Sequence, residues 1–171
     1  MKPSLSFQKV KTDKDIADTA RLARKIWTEH FSDMIGREIV MYLLDKFQSE
    51  EAVTQQIRDG YFYFLIKAEN DRIGYFAVQH QKEMKNMFLS KLYILSSERG
   101  KGHGKNTMRF IEKMACEKQC RKISLTVFHK NAGSIAAYEK MGFQKTGNIR
   151  RDVGNDIIIH DITMEKILVI P

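Results

Sequence analysis

Apolar and polar positions alternate over "LSFQKV", which predicts a first strand, and the spacing changes immediately afterwards. In "TDKDIADTARLARKIWTEHF", Ile16, Ala20, Ala23 and Trp27 recur at helical intervals, with Thr12 and Asp13 as caps. "REIVMYLLDKF" is a second helical pattern. "SEEAVTQQIRDG" is a third, short one that opens on Ser49 and stops at Gly60. Three strand-like runs follow, "YFYFLIKA", "RIGYFAVQH" and "NMFLSKLYIL", the first two joined by the turn signal "ENDR". Beyond the third run come a glycine-rich loop, a helical stretch "KNTMRFIEKMACEK" and a strand "KISLTVFH". The helix "NAGSIAAYEKMG", which ends at Gly142, and the strands "FQKTGNIR" and "NDIIIHDITMEKI" complete the chain. This order predicts a mixed α/β sheet flanked by helices, with no repeat or linker, as a single domain over residues 1–171. Strand–helix–strand after the loop predicts a parallel crossover near the middle of the sheet.

The loop, "SSERGKGHGKN", sets Gly100, Gly102 and Gly104 on alternate positions directly before a helix. Glycines reach positive φ and let a backbone approach a ligand closely, and successive N–H groups in such a turn converge on an anion. The helix that follows adds its own unpaired N–H groups and the positive end of its dipole. A plain turn satisfies the same pattern. Two familiar phosphate loops do not: position 99 is Arg and position 106 is Asn, where a Walker loop needs Gly and a hydroxyl. The dinucleotide fingerprint needs different glycine spacing after the first strand.

Charge sharpens this picture. The chain carries a net +8, yet residues 1–81 are balanced and residues 82–122 alone hold +7. A field confined around the loop suits a small polyanion, whereas a nucleic-acid surface needs a broader stripe or a known module. The apolar runs are too short to span a bilayer and the N-terminal stretch lacks a signal-peptide pattern, so a cytoplasmic protein is expected. Cys116 and Cys120, four apart on the expected helix, have no His/Cys cluster to complete a metal site and are read as packed thiols.

Arg99, Gly102 and Gly104 fill the pattern Arg/Gln-x-x-Gly-x-Gly/Ala, preceded by the strand "KLYIL". About thirty residues on, "NAGSIAAYEKMGF" fills every position of Asn-x-x-Ala/Ser-x-x-x-Tyr-x-x-x-Gly-Phe. With both motifs, the chain resembles the GNAT superfamily of acetyl-CoA-dependent N-acetyltransferases. The resemblance implies a mixed, mostly antiparallel sheet of about seven strands flanked by helices, with acetyl-CoA (leaving as coenzyme A) as the acetyl donor. It implies that the backbone of Leu92, Tyr93 and Ile94 pairs with the pantetheine arm as an added strand. By the same resemblance Arg99, Gly100, Lys101, Gly102, His103, Gly104 and Lys105 cradle the pyrophosphate. Asn131 and Ser134 face the pantetheine amides, and Tyr138 gives the departing thiolate its proton.

One departure concerns the base. Many relatives carry Glu in the strand before the loop, where this chain has Ser90, which cannot accept the amine proton alone. Glu29, His80 and Glu83 are only distant replacements, and His103 and His129 are expected to be structural or surface residues.

Residues 28–51 hold six acids against Arg37 and Lys46. An acidic acceptor wall, with Glu29 and Asp33 as its substrate residues, suits a cationic amine. "IWTEHF", "YLLDKF" and "VGNDIIIHDITMEKI" are similar to bacterial polyamine (spermidine/spermine) acetyltransferases of GNAT type. The same acids also fit the solvated faces of two helices. The expected partner is thus a small-molecule amine, with no nucleic acid or membrane, and a monomer or homodimer as the assembly. Acetylation of a peptide or protein N-terminus or lysine, and a non-catalytic CoA-binding regulatory module, stand as alternatives.

Overall fold

The computed structural model describes residues 4–169. Tertiary contacts group the chain into two compact units: residues up to Gln79 with Lys91–Thr107, and His80–Ser90 with the residues from Met108 onward.

In the first unit, β1 (Leu5–Lys9) leads into α1 (Asp13–Ile35) through a capping box. Thr12 Oγ1 accepts from the Asp15 N–H, and the Asp15 carboxylate accepts from the Thr12 N–H, both at 3.1 Å. The N–H of Lys11 also donates to that carboxylate and is the largest reason the Asp15 pKa is lowered, working against burial. α1 ends where Gly36 turns at φ +87°, and α2 (Arg37–Phe47) begins at once. α3 (Glu50–Arg58) is capped by the Ser49 hydroxyl. β2 (Tyr61–Ala68) and β3 (Asp71–Gln81) form an antiparallel hairpin, and β1 adds to the other edge of β2. Ile26, Val40, Leu44, Val53, Leu65 and Tyr75 pack into one buried cluster under the three helices. Each aliphatic side chain fully buried there contributes ~1.5–3 kcal/mol of transfer free energy. A 3.1 Å ion pair between Asp18 and Arg72 ties α1 to β3.

In the second unit, the first residues of β4 (Asn86–Ile94) run parallel to β5 (Lys122–Phe128), from Asn86 beside Lys122 to Leu89 beside Leu125. The expected parallel crossover is made by α4 (His103–Glu117). The ladder register stops at Leu89, although β4 continues to Ile94 and β5 to Phe128. β7 (Ile158–Ile167) pairs antiparallel with β5 on one side and with β6 (Gln144–Asp152) on the other. α5 (Ala132–Lys140) precedes β6, and Gly142, at φ +95°, reverses the chain after it. Met87, Ile111, Ile123, Leu125 and Met164 are buried in this unit. The strand order is β1-β2-β3-β4-β5-β7-β6, a seven-stranded mixed sheet in which β4–β5 is parallel.

The placement of the cysteines differs from expectation. α4 stops at Glu117 and Gln119 adopts φ +58°, so Cys120 lies beyond the helix and is not on a shared face with Cys116. Both thiols are free, and Cys120 is buried.

Candidate functional site

Within the first unit, β4 ends in a single 3-10 turn, Ser96–Glu98, followed by the glycine loop and the start of α4. Gly100 and Gly102 take φ +76° and +86°, the left-handed region that glycine enters without strain. Among the described residues, no backbone N–H from Gly100 to Lys105 finds an acceptor; the next, Asn106, bonds to the Gly102 carbonyl at 3.1 Å. These six adjacent donors at a helix start are left without a partner inside the described chain. Gly104 departs from the sequence reading, because it is helical and not at positive φ. A Cβ there would meet only the Ile94 Cδ1, at 3.9 Å. Its smallness therefore keeps the approach to the loop open without serving the turn.

The loop is braced from beneath. Arg99, though exposed, is tied back to the chain: its Nε donates to the Ile94 carbonyl and its Nη1 lies 3.0 Å from His30 Nδ1. Ser96 Oγ donates to the Glu29 carboxylate at 3.0 Å. Lys101 Nζ reaches both oxygens of Glu98, at 3.0 and 3.1 Å, and this contact is the main reason the Glu98 pKa lies below the ordinary range. His103 is 4% exposed with Nε2 3.4 Å from Glu98, so the part of it a ligand could meet is its backbone N–H. Asp33 is exposed near the end of α1. Glu29 thus joins the loop supports, and Asp33 stands apart from them.

Leu92, Tyr93 and Ile94 form the end of β4, past the last residue in register with β5. Tyr93 packs among Trp27, Phe31 and Tyr75, with ring centroids 5.4, 6.3 and 5.5 Å away. A Cβ on Gly74 would lie 2.3 Å from the Tyr93 carbonyl oxygen, so β3 must carry glycine at that point for the end of β4 to lie where it does. An isolated glycine in a strand pattern signals such an approach, though not its partner.

Lys91 was not singled out by sequence, since lysines are seldom buried. It is 7% exposed, donates to Gln56 Oε1 and stands 5.2 Å over the Tyr63 ring. Burial lowers its pKa to about 7.

In the second unit, Asn131 opens α5 and is 5% exposed, and its side chain does not cap the helix. Ser134 follows in the first turn and is half-buried. Tyr138 is held edge-on against Phe143, centroids 5.6 Å apart, and burial pushes its phenol up to about 12. The two motifs read from sequence thus fall on a glycine loop at the start of α4 in one unit and on a helix bearing a phenol of raised pKa in the other. No helix among the described residues is long and apolar enough to cross a membrane, and no cluster of metal-ligating side chains occurs among them.

A family model described as the acetyltransferase (GNAT) family matches residues 22–143, which include the loop and all of α5. The chain belongs to this GNAT family. It is 28% identical over 98 residues to a streptothricin acetyltransferase of Streptomyces lavendulae, covering 57% of this chain and 52% of that protein. It is 24% identical over 115 residues to a spermine/spermidine N(1)-acetyltransferase of Bacillus subtilis, covering 62% of this chain and 76% of the relative. Among solved structures, the PaiA N-acetyltransferase from Thermoplasma acidophilum in complex with coenzyme A superposes with a TM-score of 0.79 at 20% identity. That match covers 96% of this chain and 99% of the other. The GNAT fold expected from the sequence is the fold observed.

Proposed function

We propose that this chain is an N-acetyltransferase that moves the acetyl group of acetyl-CoA to a primary amine, a small cationic amine such as a polyamine being its acceptor. The observation that carries the reading is the run of six unpaired N–H groups from Gly100 to Lys105 at the start of α4. Such a run matches a pyrophosphate, which offers several anionic oxygens in a row. The end of β4, Leu92 to Ile94, past the last residue in register with β5, offers backbone groups to the pantetheine amides, and Asn131 and Ser134 offer side-chain ones.

Tyr138 protonates the thiolate as the C–S bond breaks. A phenol with its pKa near 12 stays protonated at every physiological pH, so it is always loaded for that step. Support for a cationic acceptor comes from the acids of residues 28–51 and from a relative named for spermine and spermidine. The other relative is named for streptothricin, so the names of the relatives do not converge on one acceptor. The test is thiol release from acetyl-CoA against polyamines, aminoglycosides, amino acids, peptides and plain alkylamines. Spermidine outrunning an alkylamine of equal length supports the reading, whereas turnover of peptides alone overturns the choice of acceptor. No turnover with any amine, despite CoA binding, would make the chain a CoA-binding module.

A further inference from the structure

The acceptor amine is an ammonium at neutral pH and must lose a proton before its nitrogen can attack, yet Ser90 cannot take it. Besides His80, near the end of β3, and Glu83, in the exposed turn after it, three other groups come into question. Lys91 is buried with its ammonium committed to Gln56. Glu29 is already the acceptor for the Ser96 hydroxyl. The third group is His129, in the turn between β5 and α5, two residues before Asn131 and nine before Tyr138.

We propose that His129 accepts the proton of the acceptor amine, directly or across one water, through Nε2. The geometry fixes which nitrogen is available. His129 Nδ1 lies 2.9 Å from the carbonyl oxygen of His160, which also accepts the His129 backbone N–H at 3.1 Å. A carbonyl can only accept, so Nδ1 carries the hydrogen, and the lone pair of the neutral ring sits on Nε2. No described residue bonds Nε2, and the side chain is half-buried, so solvent and an acceptor can reach it. The ring is also held in place. It lies tilted against the His160 ring at 4.7 Å and 32° and meets the Phe128 ring edge-on at 4.8 Å. The turn itself is pinned by Asn131 N–H to the Phe128 carbonyl at 2.9 Å. A base oriented by a backbone carbonyl through its other nitrogen has the arrangement general-base catalysis needs.

The charged neighbours are few. His160, on β7, is the titratable group facing the ring. Asp161, next along β7, is buried and paired with Arg151 of β6, and Lys130 is exposed beside the turn.

In the step, the proton leaves the amine for Nε2 and the freed pair forms the C–N bond at the thioester carbonyl carbon. The nitrogen's next proton follows as the C–S bond breaks, with its pair going to sulfur. Tyr138 gives sulfur its proton, and solvent carries one proton back to the phenolate while the rest are released. Ammonium and thioester become amide, thiol and one proton, and nothing is oxidised or reduced.

This inference rests on acetyl transfer at α5, and the experiment separates the two. The whole chain is assayed with acetyl-CoA and spermidine, or whichever amine of the panel turns over fastest, across pH 5.5–9.5. His129→Asn keeps a donor for the His160 carbonyl but has no base. His129→Glu replaces the base with a carboxylate, and Tyr138→Phe serves as the control. His129→Asn is expected to lower kcat/KM for the amine about 10²-fold and to move the acid limb of the profile upward toward the range of the amine itself. CoA affinity, measured by calorimetry, stays at the wild-type value, which also verifies folding. His129→Glu regains at least about tenfold and moves the acid limb below the wild-type position. A purely structural histidine would not give that displacement. Wild-type kcat/KM and an unmoved limb in His129→Asn overturn the proposal, as does His129→Glu performing no better than His129→Asn. If Tyr138→Phe is impaired while His129→Asn is not, only the base is wrong. If neither is impaired, acetyl transfer at α5 fails and takes this assignment with it.

Discussion

Lys91 on β4 donates its ammonium to Gln56 of α3, and no carboxylate among the described residues pairs with it. Gln56 Oε1 also accepts the Tyr63 hydroxyl at 2.7 Å, and its amide donates to the Phe47 carbonyl, so removing the lysine leaves no orphaned acceptor. The charge is therefore a cost to the folded state.

The pH dependence of stability follows. The Lys91 pKa is about 7 in the folded chain, below its unfolded value near 10.4, so the unfolded state binds more protons between those pH values. Stability should rise with pH from about 7 to about 10. Above that it should fall, as Tyr63 and Tyr75, whose pKa values burial raises, ionise in the unfolded chain only. Lys91→Met should flatten the rise and stabilise the protein at pH 6 by a few kcal/mol, on the order of 1.4 per pKa unit. Urea unfolding at pH 6, 8 and 10 measures both, and a variant less stable than wild type at pH 6 would show that the ammonium is needed where it sits.

Tyr138→Phe keeps the ring against Phe143 and removes only the donor. kcat should drop by roughly 10²–10⁴ with KM for acetyl-CoA nearly constant. Because the phenol titrates near 12, wild-type kcat should show no basic limb from its loss up to about pH 11. A tyrosine-dependent fall near pH 10 would contradict the raised phenol pKa.

The glycines separate by conformation. Gly102→Val forces a β-branched residue to φ +86°, a strain of about 1–3 kcal/mol that reshapes the N–H run, so CoA affinity should fall at least about tenfold. Gly104→Ala places a methyl in open helical space, so the melting temperature should hold and any loss of affinity reports contact with ligand. Calorimetry with CoA and a thermal melt on each variant distinguish the two. Equal binding by Gly102→Val would reduce the loop to a turn.

For the acceptor side, Asp33→Asn is the informative change, since Glu29 also supports Ser96. An exposed ion pair contributes about 0.2–1 kcal/mol, so the preference for spermidine over an alkylamine should fall about 1.5–5-fold. Added salt should shrink the same preference, given a Debye length of about 8 Å at physiological ionic strength. A preference that ignores both would mean the acid is only a solvated helix face.

Much of the fold was legible because local signals agreed with it. Thr12, Ser49 and Gly60 mark helix limits, and "REIVMYLLDKF" coincides with α2. That the glycine loop stands directly before α4 and Tyr138 on α5 was legible because glycine spacing and a helix motif are short-range patterns. Contacts between residues distant in sequence were not. Nothing in the chain before Gly74 announces the carbonyl of Tyr93, and composition places Lys91 on a surface. The Nδ1 bond of His129 joins residues 31 positions apart. Cys120 was misplaced for the opposite reason, since the helical pattern ran on while Gln119 turned left-handed.

The clasp of Glu98 on Lys101 gives the most basic stretch of the chain a resident counter-ion. If the loop takes a diphosphate as proposed, Lys101 would exchange this intramolecular partner for a phosphate oxygen, and the weak surface pair would oppose that exchange only slightly.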